Sequence, residues 1–287
     1  MNYLNAFVQG VMLGGLYALF ATGLALIFGV MRLVNIAHGD LIVLAAYLGL
    51  SIVELLGLHP LAALVAVVPA MGVLGYLLQR GIFNRTLGGD LLPPLLVSFG
   101  LSVIIQNVLQ QVFTADSRRL QAGGLEVASL ELPGHVAVGI LPLTTFLAAI
   151  AIIGALQFLF YRTPLGRALR ATSDDQTAAK LMGIDNRHIY GIAMAVALGV
   201  IAIAGIFLGM GTNFDPASGP ARLLFAFEAI IIGGLGNMWG ALIGGIIMGV
   251  AQTIGAEIDP ASQVLAGHLV FLAILLFRPE GLLPKTG

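Results

Sequence analysis

Residues 223–256 read LLFAFEAIIIGGLGNMWGALIGGIIMGVAQTIGA, an apolar stretch whose only charged residue is Glu228. As one helix, at 1.5 Å per residue, the stretch would be about 51 Å long, whereas the hydrocarbon core of a bilayer is about 30 Å thick. Gly233, Gly234 and Gly236 lie near its centre, where clustered glycines interrupt a helix. The stretch therefore predicts either two membrane crossings or one crossing plus a re-entrant half-helix, separated by a glycine break.

The whole chain shares this apolar character. Its 287 residues are 59% hydrophobic and 9% charged, against about 25% charged residues in an ordinary soluble domain. So few charges would leave very large apolar patches on a soluble surface, which excludes a soluble enzyme and a disordered chain. The net charge of −1, without a long basic run, excludes a nucleic-acid binder. Because the sequence has no cysteine, a disulfide scaffold, a thiol nucleophile and a cysteine-ligated metal are excluded as well.

Stretches nearly free of charge, and long enough to cross a bilayer, recur along the sequence. In lipid the backbone must satisfy its own hydrogen bonds, so we expect these stretches to be helices. Together with 223–256, they predict an all-α, polytopic membrane bundle of about eight to ten transmembrane or re-entrant segments, forming a single transmembrane domain over residues 1–287. The other predicted spans lie near residues 6–31, 38–57, 61–79, 91–113, 139–161, 189–211 and 262–277.

The positions of lysine and arginine predict the orientation in the membrane. Alternating the spans places three basic residues on one side, which are Arg118, Arg119 and Arg222. The other side receives the remaining ten, which are Arg32, Arg80, Arg85, the five between 162 and 187, Arg278 and Lys285. Since the basic side of a membrane protein is cytoplasmic, the amino terminus is predicted to lie outside. Residues 114–138 are then an external loop, and residues 162–188 are a cytoplasmic segment.

The cytoplasmic segment carries the signals of a short helix over 173–183. Ser173 is predicted as its N-cap with Gln176 at the third helical position, and Gly183 as its stop. An isolated helix of this length is marginal in water, so the pattern indicates a surface on which a partner docks, although a plain solvated loop is the alternative. The small apolar surface offered to such a partner comprises Ala178, Ala179, Leu181 and Met182.

At this segment the sequence resembles a known family. The run Thr177-Ala-Ala-Lys-Leu-Met-Gly183 resembles the Glu-Ala-Ala-x-x-x-Gly loop of ABC importer permeases, with Thr177 where that family often has Glu. The chain as a whole is similar to the branched-chain amino acid subgroup of these permeases, of the LivH type. The similarity rests on ordered matches in residues 15–19, 34–39, 163–171, 179–184, 233–241 and 278–282.

This resemblance implies a permease subunit of a binding-protein-dependent importer in the bacterial inner membrane, carrying branched-chain or other amino acids, or related small solutes. It also implies a second related permease, two cytoplasmic ATP-binding subunits and a periplasmic substrate-binding protein. The chain has no Gly-x-x-x-x-Gly-Lys-Ser/Thr phosphate loop, so we expect no enzyme and no cofactor here, with ATP and Mg bound by the partner ATPases. The residues implied in coupling to those ATPases are Asp175, Thr177, Ala178, Ala179, Lys180 and Gly183.

Polar residues inside the spans are the candidates for a transport pathway. Glu228 is either a hydrogen-bonded structural anchor or a pathway-lining group, because a charge in the membrane is costly. His268, in the last span, is interpreted as a satisfied core histidine. Asn35, His38 and Gly39 are predicted to unwind a helix start toward a cavity, whereas the sequence offers too few ligands for a metal site. Such breaks, with those at Gly233, Gly234 and Gly236, also fit an ion-coupled secondary transporter, which stays the alternative function.

Overall fold

The computed structural model describes residues 3–87, 92–132 and 136–283. Eight of the helices in these ranges are long and apolar enough to cross a membrane, so the predicted all-α polytopic bundle is confirmed. Two positions used in the predictions lie outside the described residues: position 91, the predicted start of a span, and Lys285, which was counted for the orientation. The described helices are α1 (Tyr3–Met31), α2 (His38–Leu56), α3 (Pro60–Gly81), α4 (Leu92–Phe113), α5 (Ile140–Arg162), α6 (Pro164–Asp174), α7 (Gln176–Leu181), α8 (Asn186–Gly211), α9 (Gly219–Gly233), α10 (Met238–Ile258) and α11 (Gln263–Phe277).

Helices α1 and α8 form the centre of the bundle, because about 72% of the residues in the apolar part of each are buried, whereas α11 lies at the edge with about 6%. Glycine allows α1 and α10 to approach backbone to backbone. A Cβ on Gly10 would lie 2.5 Å from the Cα of Val250, and a Cβ on Gly249 would lie 2.7 Å from the nitrogen of Gly14. Small residues spaced four apart are the usual means of such close packing, and here they serve contacts within the chain.

Helix α2 begins inside the bundle rather than at its surface. After α1 ends at Met31, the chain turns back, and the Nε2 atom of His38 lies 2.8 Å from the carbonyl oxygen of Phe20 in the middle third of α1. Helix α9 begins beside it, because a Cβ on Gly39 would lie 2.8 Å from the nitrogen of Leu223. Two helix starts therefore meet within the membrane-embedded part of the bundle.

The apolar stretch 223–256 is broken where the glycines predict. Helix α9 ends at Gly233 and α10 begins at Met238, with left-handed φ values of 108° at Gly234 and 79° at Gly236. The side chain of Asn237 caps α10 by accepting a hydrogen bond of 3.0 Å from the nitrogen of Gly240. With 15 residues, α9 is about 22 Å long and starts inside the bundle. The chain before α9 pairs with the loop between α4 and α5, whereas the break after α9 places Gly236 against Gly29 at the opposite end of the bundle. The stretch therefore passes through the bundle twice, one of the two predicted arrangements.

The loop between α4 and α5 contains a two-stranded antiparallel hairpin, β1 (Ser129–Leu132) and β2 (Val136–Gly139). The sequence predicted only a loop here. Strands this short and outside the membrane leave no long apolar run that would have indicated them. The loop also pairs with the chain between α8 and α9, where the nitrogen of Arg118 donates to the oxygen of Phe214 at 2.8 Å and the reverse bond is 3.0 Å. Residues 133–135 of this loop lie outside the described residues.

The predicted helix over 173–183 is wrong in its start. Ser173 lies inside α6, and its hydroxyl donates to the carbonyl oxygen of Gly29 at 2.6 Å instead of capping a helix. Helix α6 begins at Pro164, where the Thr163 hydroxyl accepts a hydrogen bond from Gly166. The cap of α7 is Asp175, so Gln176 is its first helical residue rather than its third. A carboxylate accepts backbone N–H bonds more strongly than a hydroxyl does, which favours Asp175 as the cap.

Candidate coupling surface and membrane-embedded polar sites

The candidate coupling surface predicted from the sequence consists of α7 and its two ends, Asp175 and Gly183. The Oδ1 atom of Asp175 accepts hydrogen bonds of 2.8 Å from the nitrogen of Thr177 and 3.0 Å from that of Ala178. Gly183 follows the helix with a left-handed φ of 84°, the conformation in which a glycine ends a helix at low cost. Both ends of this short helix are therefore stabilised by local backbone bonds.

Two large apolar side chains on this surface point away from the rest of the chain. Leu181 is 84% exposed and Met182 is 82% exposed, and their neighbours Ala178 and Lys180 are exposed too. Ala179, however, is buried within the chain, which corrects the prediction that its side chain is offered to a partner. The reason is helical geometry, because neighbouring residues in a helix face about 100° apart.

Side-chain hydrogen bonds connect the coupling surface to the centre of the bundle. The Asn186 amide at the start of α8 donates to the oxygen of Gln176 in α7 at 2.8 Å, and Ser173 bonds α1 as described above. Glycine packing adds a further contact, since a Cβ on Gly166 would lie 2.5 Å from the carbonyl carbon of Phe160 in α5. These contacts join α6 to α1 and α5, and α7 to α8.

Asn35, His38 and Gly39 lie at the unwound start of α2, as predicted, but this start does not open to a cavity. The Asn35 side chain accepts from the nitrogen of Ala37 at 3.1 Å, and Asn35 and His38 are fully buried. Helix α4 covers this start with a polar stripe of Ser98, Ser102 and Gln106, in which the Gln106 amide donates to the Asp40 carboxylate at 2.9 Å. The unwound backbone therefore faces α4 and not an open cavity.

A second polar group forms where α1, α9, α10 and α11 meet, and we call it the Glu228 cluster: Tyr17, Phe225, Glu228, Gln252 and His268. The Tyr17 hydroxyl donates to the Gln252 carbonyl at 2.6 Å, and Nδ1 of His268 lies 2.5 Å from Oε1 of Glu228. The Phe225 ring lies against both aromatic neighbours, 5.1 Å from the ring of Tyr17 and 6.3 Å from that of His268.

The sequence identified Glu228 and His268 but missed their connection, as well as Tyr17 and Gln252. His268 is hydrogen-bonded, as a satisfied histidine should be, yet its side chain is 30% exposed. No local signal could have found the group, because its members come from four helices that are distant in sequence.

The glycine break lies at the same end of the bundle as the coupling surface. A Cβ on Gly233 would lie 2.8 Å from the nitrogen of Ala241, and the carboxyl-terminal chain closes the break through a bond of 2.8 Å from the nitrogen of Leu282 to the oxygen of Ile232. A cavity of about 500 Å³ opens between this break, the end of α1 and α6, with Arg170, Asp174 and Trp239 in its wall. The break therefore combines a close contact between α9 and α10 with one wall of this cavity.

Comparison with known proteins agrees with this architecture. The family model described as branched-chain amino acid transport system / permease component matches residues 6–277. The permease protein BraD of the high-affinity branched-chain amino acid transport system of Pseudomonas aeruginosa is 30% identical, over 99% of this chain and 96% of its own. LivH of Escherichia coli K12 is 27% identical over the same shares, and LivM of that organism is 25% identical over 94% of this chain and 68% of its own.

Among solved structures, PsaBC from Streptococcus pneumoniae in complex with Fab superposes with a TM-score of 0.50 at 17% identity, covering 98% of this chain and 93% of that one. This likeness concerns the fold alone. The fold and the family match define a multi-pass permease of the ABC importer class. The chain belongs to the branched-chain amino acid transport system permease family, which confirms the resemblance read from the sequence and favours an importer subunit over an ion-coupled secondary transporter.

Proposed function

We propose that this permease carries branched-chain amino acids across the bacterial inner membrane, paired with a second related permease and driven by two cytoplasmic ATP-binding subunits. The substrate and the pairing are supported by relatives named as branched-chain amino acid permeases of both the LivH and the LivM kind. A separate ATPase is required because the sequence contains no phosphate loop of its own.

The observation that carries the ATPase docking is the exposure of Leu181 and Met182 on a short helix with its own cap and stop. Exposed apolar side chains on an otherwise polar surface mark protein interaction sites. The surface is small, so a groove of the ATPase that covers both side chains would stabilise α7, which is too short to be stable by itself.

Transport follows from the connections of α7. When ATP closes the two ATPase subunits, their grooves move, and α7 moves with them. The bonds from Ser173 to Gly29 and from Asn186 to Gln176 pass the motion to α1 and α8, the most buried pair of the described spans. The breaks at residues 32–37 and 234–237 let neighbouring helices change their angle, so that the permease pair alternates its access between the two sides.

The opposite end of the bundle is the proposed docking face for a substrate-binding protein. The loop between α4 and α5 is the longest connection at that end, and it carries Asp116, Arg119, Glu126 and Glu131. Mixed charges of this kind give orientation and a salt-dependent association rate. The binding protein selects the substrate and delivers it to the permease.

Docking at α7 is tested by Leu181→Asp, with Leu55→Asp as the matched control. The two leucines are 84% and 83% exposed, and Leu55 lies in the last turn of α2 at the opposite end of the bundle. The complete importer is expressed, and the co-purified ATPase and leucine uptake are measured. We expect Leu181→Asp to lower both by about tenfold, equivalent to 1.4 kcal/mol of lost contact, while Leu55→Asp changes neither. Normal ATPase binding in Leu181→Asp would contradict the proposal.

A further inference from the structure

The Glu228 cluster contains hydrogen-bonding capacity that the described residues leave unused. Glu228 and Gln252 are 3% and 1% exposed. One oxygen of Glu228 bonds His268 and the carbonyl of Gln252 bonds Tyr17, yet within the described chain neither Oε2 of Glu228 nor Nε2 of Gln252 has a partner. A buried polar atom without a hydrogen-bond partner lowers the stability of the folded protein, and such atoms are rare in native structures.

The two free atoms have opposite character and lie around the same rings. The Glu228 oxygen accepts hydrogen bonds and belongs to an acid, whereas the Gln252 nitrogen donates. Arg222, two turns before Glu228 along α9, adds a guanidinium whose Nε is also buried without a partner among the described residues. The ring of Phe225, which lies between Arg222 and Glu228 in the sequence of α9, is 5.1 Å from the ring of Tyr17.

We propose that the Glu228 cluster is a transit site for the charged head group of the transported amino acid; this rests on the function proposed above. An α-ammonium donates hydrogen bonds and is attracted to the free oxygen of Glu228. An α-carboxylate accepts them, and Gln252 and Arg222 supply the donors. The rings of Tyr17 and Phe225 provide the apolar surface against which a branched aliphatic side chain packs.

The cluster also reaches the surface of the bundle through His268. At the α2 start, Asp40 is 1% exposed and bonds Gln106, so its carboxylate is already engaged. In the Glu228 cluster, His268 covers the acid from α11 and is itself 30% exposed. Helix α11 has a single buried residue, Gly267, so a shift of this helix opens the cluster at little cost in packing.

The test uses the complete importer in liposomes, loaded with ATP and given its binding protein and radiolabelled leucine. Glu228→Gln keeps an oxygen that accepts from His268 but loses the charge. Gln252→Met keeps the volume but loses the donor, together with the oxygen that accepts from Tyr17. Glu54→Gln makes the same chemical change at an exposed acid near the end of α2. We expect Glu228→Gln and Gln252→Met to lower leucine uptake about tenfold or more, because hydrogen bonds to charged groups are the strong ones. ATP hydrolysis, subunit assembly and the behaviour of Glu54→Gln should stay normal.

Three outcomes would overturn the proposal. Normal leucine uptake with a lower unfolding temperature in both variants would mean that the free atoms hold only structural water. Failure of both variants to fold or insert would assign the cluster a purely structural role. An equal loss in Glu54→Gln would mean that any lost acid impairs the protein. Absence of amino acid uptake by the unmodified importer would instead refute the proposed function, so the two failures are distinguishable.

Discussion

Gly39 of α2 and Gly219 of α9 meet backbone to backbone inside the bundle. A Cβ on Gly39 would lie 2.8 Å from the carbonyl carbon of Gly219, and a Cβ on Gly219 would lie 2.9 Å from the Cα of Asp40. Side chains at such distances cannot be accommodated without moving a backbone. The contact joins the two helices that start within the bundle, so its closeness determines how α9 is held.

Gly39→Ala should therefore destabilise the permease. Overpacking at a close contact costs about 1–3 kcal/mol, and we expect a lower unfolding temperature in detergent. Gly154→Ala is the control, because Gly154 also lies within a helix but a Cβ there meets nothing within 4 Å. That change should be neutral or stabilise by up to about 1 kcal/mol, the helix preference of alanine over glycine. Equal unfolding temperatures for the two variants would contradict the packing seen at Gly39.

The bond between Asp40 and Gln106 predicts a difference between two substitutions of the same acid. Asp40→Asn retains an oxygen that accepts from the Gln106 amide, whereas Asp40→Leu leaves that amide facing an apolar group. Loss of one partner of a buried hydrogen bond costs about 1–3 kcal/mol. We expect Asp40→Leu to unfold at a lower temperature than Asp40→Asn in the same detergent. The reverse order would show that α4 is not held through this bond.

Substitutions at two aspartate caps distinguish an effect on helix stability from an effect on coupling. Asp175 caps α7, and Asp185 caps α8 through bonds to the nitrogens of Arg187 and His188. Replacement of either by alanine should cost about 1 kcal/mol in the capped helix. Only Asp175→Ala should lower the ATPase that co-purifies with the permease, since α7 carries the proposed docking surface. A similar loss of ATPase in Asp185→Ala would argue against α7 as the specific contact.

Single cysteines test the orientation, and the chain is suited to this because it has none of its own. Gln121, in the loop between α4 and α5, and Thr177, in α7, are both exposed. In intact cells an impermeant thiol reagent should label Gln121→Cys but not Thr177→Cys. Thr177→Cys should react once the membrane is permeabilised. Labelling in the opposite order would invert the orientation predicted from the lysines and arginines.

The class of protein and the main breaks in its helices follow from the sequence alone. Membrane insertion depends on local composition, because each span must satisfy its backbone and face lipid with apolar side chains. The glycine cluster at Gly233, Gly234 and Gly236 acts through the local backbone, so the end of α9 and the start of α10 were predictable. The family resemblance was readable too, because its motifs are contiguous runs of residues.

The tertiary structure alone determined which polar residues meet. The bonds between Tyr17 and Gln252 and between Glu228 and His268 join residues 235 and 40 positions apart, and no local pattern specifies such pairs. Tertiary structure also engages Ser173, whose hydroxyl donates to Gly29 of a distant helix, while the preference for the Asp175 carboxylate as the cap of α7 is local. Helix packing is set by the summed fit of many weak side-chain contacts, so the positions of these groups appear only when all the helices are in place.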